Sequence, residues 1–152
     1  MIYYSTNRNI SALLDRAIQI ATSAHAGQTD RGGMPYITHP LRLMMKQPTI
    51  ENMIVAVLHD VVEDSDWTLD NLRSEGFPEP IIAAIDALTH RENEPYEANL
   101  QRIDQNAMAI AVKKSDLEDN INALRLATLH EKDFQRLQKY HKAYRFLTRN
   151  TE

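Results

Sequence analysis

The sequence predicts an all-α fold, a compact bundle of short helices crossing at steep angles. Three observations predict it. Apolar residues recur at three- and four-residue spacing along nearly the whole chain, and no segment alternates with the period of a strand. Only four glycines and six prolines punctuate 152 residues. No heptad persists, which excludes a coiled coil. The chain is expected to form one domain over residues 1–152, long enough to bury a core.

The elements follow in order. Ile10, Leu13, Leu14, Ala17, Ile18 and Ala21 form a stripe that runs on to His25, and Gly27 closes this first helix. Residues 28–38 read as a loop. His39-Pro40 opens a short helix with Pro40 at its first position. The apolar run Met53-Ile54-Val55-Ala56-Val57-Leu58 belongs to a central helix over residues 51–63. Thr68 caps a short helix that reaches Ser74 and is ended by Gly76. Pro80 opens another, carrying Ile81, Ile82, Ile85 and Leu88, and residues 96–103 form one more. Residues 107–127 form a long helix with Met108, Ala111, Val112, Leu117, Ile121 and Leu124 as its stripe. Asp133 begins the last helix, about residues 133–148, with Phe134, Leu137, Tyr140, Tyr144 and Leu147 on one face.

Composition excludes several function classes. The net charge of -4 gives no global attraction to nucleic acid, and no basic stripe is interleaved with aromatics. No apolar stretch is long enough to span a bilayer, and residues 1–8 lack the basic start and apolar core of a secretory signal. A cytoplasmic protein without nucleic-acid or membrane partners is expected. The absence of cysteine excludes disulfides and thiolate metal sites, leaving histidine and carboxylates as the strong metal ligands.

The chemistry concentrates in His59-Asp60-Val61-Val62-Glu63-Asp64, at the end of the apolar run. In a helix His59 lies one turn before Glu63, and Asp60 one turn before Asp64. An imidazole and a carboxylate there can hold a divalent ion, and two acids one turn on can handle a water. The opposing reading is a polar helix end facing solvent. The apolar run leads straight into the cluster, and buried acids without a cation are costly, so a site is favoured. His25 is either a satisfied, partly buried histidine or a ligand. Asp116 shares a helical face with Val112, and either starts the solvent side or points into a cavity. Together these helix-edge residues offer two imidazoles and two carboxylates, a mixed set suited to a catalytic Mn²⁺, Fe²⁺ or Zn²⁺.

These residues, in this order, resemble the signature of the HD-domain metal-dependent phosphohydrolases. The likeness extends to His25-Ala26-Gly27-Gln28, Gly33-Met34-Pro35-Tyr36-Ile37-Thr38-His39-Pro40, Leu58 through Asp64, and Val112-Lys113-Lys114-Ser115-Asp116 through Asn120. Over about residues 8–128 the chain is similar to the hydrolase half of RelA/SpoT proteins and to the stand-alone small alarmone hydrolases. The resemblance implies an HD-type bundle and hydrolysis without a synthetase activity. It implies Mn²⁺, with other divalent ions open, on His25, His59, Asp60 and Asp116, and a catalytic acid pair in Glu63 and Asp64. It implies substrate contacts from Asn120 and from an entrance loop shaped by Tyr36 and His39, while His39 equally suits a helix cap. Arg31, with Lys113, Lys114 or Arg125, suits neutralising phosphate charge.

Two departures mark the substrate rim. Asp30 stands where the family places a basic residue against guanine, and only Arg31 keeps the following basic position. The family's Asp-Arg-Leu-His-Asn reads Asp116-Leu117-Glu118-Asp119-Asn120 here. The expected substrate is a phosphorylated nucleotide, either ppGpp cleaved at its 3′-pyrophosphate or another phosphorylated nucleotide or metabolite. A nucleotide-sensing module without turnover is the reading from another class. Tyr140, Tyr144, Phe146 and Leu147 on the last helix suit either a homodimer face or packing on the bundle.

Overall fold

The structure, a computed structural model, describes the backbone of residues 3–149 and the side chains of residues 9–149. It is all-α. The helices are α1 (Tyr3–Ala24), α2 (Thr38–Met45), α3 (Ile50–Leu58), α4 (Val61–Asp64), α5 (Leu69–Ser74), α6 (Glu79–Leu88), α7 (Tyr96–Asp104), α8 (Ala107–Asn120) and α9 (Glu131–Thr148). A 3-10 turn at Ala123–Arg125 follows α8. The β-type pairing among the described residues is an isolated bridge between Thr29 and Pro35.

The core forms around α3. Ile54, Val55, Ala56, Val57 and Leu58 are each fully buried, so this helix is covered on every face rather than on one stripe. It packs against α1, α2, α6 and α8. Thr49 starts it by accepting the Asn52 N–H on its hydroxyl at 3.1 Å. α9 lies against α8 and α7, with Ala143 and Leu147 buried.

Several boundaries differ from those read in the sequence, each for a local reason. The helix expected over residues 51–63 is two pieces, α3 and α4. The His59 ring donates from Nδ1 to the Ala56 carbonyl at 2.7 Å. A continuing helix would give that carbonyl to the Asp60 N–H. Asp60 instead turns at φ -104°, ψ -2°, so Glu63 and Asp64 no longer continue the register of α3. The helix expected over residues 107–127 ends at Asn120. Asn122 leaves helical geometry, and Arg125 Nη2 reaches back to cap the Asp119 carbonyl at 3.0 Å. Leu124 is exposed and Ile121 partly so, rather than in the core. Pro40 and Pro80 are the third and second residues of their helices, still inside the first turn where an N–H has no helical partner. α9 begins at Glu131, because Asp133 reaches back from the third position to accept the His130 N–H at 2.9 Å. Phe134 therefore faces outward.

The expectation drawn from residues 1–8 rests on side chains outside the described residues. No helix among the described residues is long and apolar enough to cross a membrane.

The central position of α3 has a measurable consequence. Ile54→Ala leaves a cavity at a fully buried position of this helix, and should lower unfolding free energy by about 2–5 kcal/mol in a denaturant titration. A loss below about 1 kcal/mol would contradict the packing described.

Candidate metal and substrate cleft

The break between α3 and α4 sets Asp60 in the wall of a depression bounded by the loop after α1 and by α2, α4, α8 and α9. His59 is buried, and its ring centre lies 5.4 Å from that of His39 on α2. Its Nε2 stands 2.8 Å from Asp60 Oδ2 and 4.0 Å from Asp116 Oδ1 on α8. Neither carboxylate is aligned to hydrogen-bond that nitrogen, which is buried without a hydrogen-bond partner. His25, in the turn after α1, is the second such imidazole. Its Nδ1 donates to Gln28 Oε1 at 2.9 Å, and its Nε2 is buried and unpartnered. In both rings the Nδ1 bond orients the imidazole and leaves Nε2 as the position for a proton or a metal ion.

His39 is different. Its metal-competent atom lies within 4.8 Å of those of His59 and Asp60. Both of its nitrogens are taken, however. Nδ1 is 2.6 Å from Asp119 Oδ2, and Nε2 is 3.2 Å from Asp116 Oδ1. Burial disfavours its protonated form, but hydrogen bonds to the two aspartates outweigh this and raise its pKa. It is strung between two carboxylates, so neither nitrogen is left without a partner.

Asp116 is buried and held by three donors. Asn120 Nδ2 donates to Oδ1 at 2.6 Å, His39 Nε2 approaches the same oxygen, and Lys113 Nζ donates to Oδ2 at 2.8 Å. A carboxylate has about four acceptor directions, so about one remains. Burial alone would raise its pKa, but the Lys113 and histidine charges hold it well below the usual carboxylate range. Asp60, half-buried, accepts the Tyr36 hydroxyl on Oδ2. Burial pushes it up, and the His59 charge more than reverses this, to about 2. The same two aspartates overcome burial to lift His59 to about 9. The cage therefore demands a positive charge at His59 Nε2, which a proton or a metal cation can supply.

Glu63 and Asp64 stand on α4 at the cleft wall. Glu63 accepts the His90 backbone N–H on Oε1. Desolvation and the neighbouring Asp60 and Asp64 charges hold Glu63 above the usual carboxylate range, with the His90 bond pulling the other way. Asp64 is raised by desolvation and by Asp60. The cavity is about 360 Å³, with Asp60 and Asp116 in its lining and Arg31, Arg125, Arg136 and Tyr140 among its rim residues.

The structure thus gathers His59, Asp60 and Asp116 around one depression, puts His25 behind the Tyr36 ring at 4.8 Å between centres, and lines the mouth with Glu63, Asp64, Arg31, Tyr36 and Asn120. Asn120 Nδ2 donates to Asp116 and the Tyr36 hydroxyl to Asp60. Sequence reasoning missed the two-sided role of His39, the buried ion pairs of Asp119, and the reach of Arg136 and Tyr140 from α9. The available signals were Lys113, Asp116 and Asp119 at three-residue spacing on one helix face, and a histidine in the first turn of α2.

At the rim, Asp30 is not a free acid facing substrate. Its Oδ1 accepts the N–H groups of Gly32 and Met34 at 2.9 and 3.0 Å, and its Oδ2 meets Arg125 Nη1 at 3.1 Å. Gly32 packs so close that an added Cβ would meet the Arg125 carbonyl oxygen at 2.9 Å.

Comparison with known proteins places this geometry. No protein-family model matches the chain. It is 30% identical over 127 residues to a probable GTP pyrophosphokinase of Mycobacterium leprae, covering 75% of this chain and 16% of that protein. It is 29% identical over 123 residues to a guanosine-3′,5′-bis(diphosphate) 3′-pyrophosphohydrolase of Aquifex aeolicus, covering 73% and 18%. The bifunctional (p)ppGpp synthase/hydrolase SpoT of Escherichia coli matches at 30% over 125 residues, covering 73% and 18%. A solved metazoan ortholog of SpoT, described as hydrolysing ppGpp, superposes with a TM-score of 0.74 over 93% of this chain and 88% of that one, at 19% identity. The chain is an HD-domain, RelA/SpoT-like protein. It spans under a fifth of the length of the curated relatives named here.

The RelA/SpoT-like rim makes a specific prediction. Asp30→Arg removes the acceptor of two backbone N–H groups and sets a second cation beside Arg125. The variant should lose thermal stability and show faster amide exchange at Gly32 and Met34, while Asp30→Asn, which keeps Oδ1, should cost less. Hydrogen bonds to a charged acceptor are worth about 1.5–3 kcal/mol each, so a measurable fall in Tm is expected. An Asp30→Arg protein as stable as the parent would show that the loop does not depend on this carboxylate.

Proposed function

We propose that this chain is a divalent-metal-dependent phosphohydrolase that removes the 3′-pyrophosphate of ppGpp or a closely related nucleotide. The observation that carries the reading is the buried, unpartnered Nε2 of His59, 2.8 and 4.0 Å from the carboxylates of Asp60 and Asp116, which line a nucleotide-sized cleft, with a second such Nε2 on His25. A metal-ligating imidazole is held in orientation by a hydrogen bond from its other nitrogen, as Nδ1 of both rings makes here. The donor set is His25 Nε2, His59 Nε2, Asp60 and Asp116, and manganese suits its mixed nitrogen and oxygen character. His39 is the imidazole that holds Asp116 in place rather than a ligand.

When bound, the cation polarises a phosphoryl oxygen and lowers the pKa of a water. The chain's own groups do the rest. Glu63, with its raised pKa and an exposed carboxylate, takes the proton of the attacking water, and Asp64 orients that water. The water oxygen ends on pyrophosphate, the phosphorus–O3′ bond breaks, and a proton goes to the 3′-oxygen. Arg31, Arg125 and Arg136 lie around the mouth, where they neutralise phosphate charge.

A second reading, hydrolysis of a different phosphorylated nucleotide, is favoured by Asp30. Its carboxylate is committed to the loop and to Arg125, so position 30 offers guanine no stacking cation. Turnover of ppGpp, other 3′-phosphorylated nucleotides and NADPH with Mn²⁺ separates the two. Metal-dependent binding of these compounds without turnover of any would instead support a sensing module.

Two variants divide the labour within the site. Asp60→Ala should abolish stoichiometric Mn²⁺ binding in calorimetry while helical content stays at the parent value; retained affinity would remove Asp60 from the ligand set. Glu63→Gln combined with Asp64→Asn should keep the metal and lower kcat by about two orders of magnitude or more, the usual scale of lost acid–base help. Loss of the metal from that double variant would make the acids ligands and overturn the assignment.

A further inference from the structure

Glu63 is held by a peptide group, and that peptide group is itself held from behind. The segment of residues 89–95 joins α6 to α7 without regular structure, and His90, Arg91, Glu92 and Asn93 are exposed. Asn93 adopts a left-handed backbone, φ 58°. Little apolar packing fixes this loop, yet its His90 N–H meets Glu63. Arg102 on α7 supplies what packing does not. Its guanidinium donates from Nη1 to the Asp86 carbonyl at 3.0 Å and from Nη2 to the Thr89 carbonyl at 2.8 Å. It also forks onto Glu94, with Nε to Oε1 at 2.6 Å and Nη2 to Oε2 at 2.8 Å. Glu94 Oε2 in turn accepts the Arg91 N–H at 3.0 Å.

The Thr89 carbonyl and the His90 N–H are the two ends of one peptide plane. Arg102 grips the oxygen end and Glu63 the hydrogen end. A rigid trans peptide leaves that plane little freedom once both ends are tied. A cation on the carbonyl also draws charge toward oxygen and makes the N–H a stronger donor. Arg102 is not among the residues lining the cleft.

We propose that Arg102 is a positioning residue for Glu63, acting through the Thr89–His90 peptide. The inference rests on the catalytic role given to Glu63 above. Glu63 stands on a single-turn helix with its side chain partly exposed, so without this anchor its carboxylate would sample several rotamers and fewer encounters with the attacking water would be productive.

The test uses Arg102→Lys, which keeps the charge but not the fork, and Glu94→Gln as a milder second variant should the first fail to fold. The His90 amide should exchange at least about tenfold faster in either variant, a readout independent of turnover. With a nucleotide that the parent hydrolyses, kcat should fall roughly 10- to 100-fold, the scale expected of a small misplacement, with KM and Mn²⁺ affinity unchanged. In a Glu63→Gln background the Arg102→Lys change should slow turnover no further, since both act on one group. An equal slowing in both backgrounds, or a folded Arg102→Lys protein with parental kcat, overturns the proposal. If the parent turns over no nucleotide, the functional reading fails by itself, and unchanged His90 exchange in the variants would then separately overturn the clamp.

Discussion

Asp116 and Asp119 are buried on one face of α8, and Asp60 comes up half-buried against them. Negative charge at that density inside a protein is unaffordable unless it is answered. Much of the local architecture is the answer. Lys113 pairs with one oxygen of Asp116, His39 bridges Asp116 to Asp119, and Arg42 forks onto Asp119 at 2.8 and 2.9 Å. Arg125 closes the end of α8 and ties the 28–38 loop to it through Asp30. These pairs account for Asp119 fully. They leave the corner between Asp60, Asp116 and His59 Nε2 short of positive charge, and that deficit is the physical basis of the proposed metal site.

The same constraint explains why α3 stops where it does. A fully buried helix delivers His59 into the acid cluster only if the ring can be locked in one orientation. The lock is the Ala56 carbonyl, and using it ends the helix. The turn at Asp60 then sends Glu63 and Asp64 along a new axis, to a wall of the cleft rather than to the next turn of the same face. Those two acids keep raised pKa values because they share a partly desolvated wall with Asp60. Holding them there falls to groups outside the cleft, which is how Arg102 and the Thr89–His90 peptide come to matter.

The apolar rhythm of the helices was legible in the sequence because burial of a stripe or of a whole helix is a one-dimensional pattern. So was the candidacy of His59, Asp60, Glu63 and Asp64, which are local. His39 was not legible as a bridge between two aspartates, because its partners are 77 or more residues away on α8. The break in α3 was missed because a side chain competing for a backbone carbonyl leaves no mark on hydrophobic spacing. Asp30 looked like a repulsive acid at the rim because its countercharge, Arg125, lies 95 residues further on. Arg136 and Tyr140 come from α9, beyond the stretch in which the motifs lie.

The central claim is that hydrogen bonding selects the ligands: His25 and His59 each keep an unpartnered Nε2, whereas both nitrogens of His39 are held by carboxylates. Crystals grown with MnCl₂ and measured at the manganese absorption edge test it directly. The account predicts one anomalous peak in bonding contact with His25 Nε2, His59 Nε2, Asp60 and Asp116, with both His39 nitrogens still on Asp116 and Asp119. A peak bonded to His39 with His25 left out, or no peak in the cleft, would contradict it.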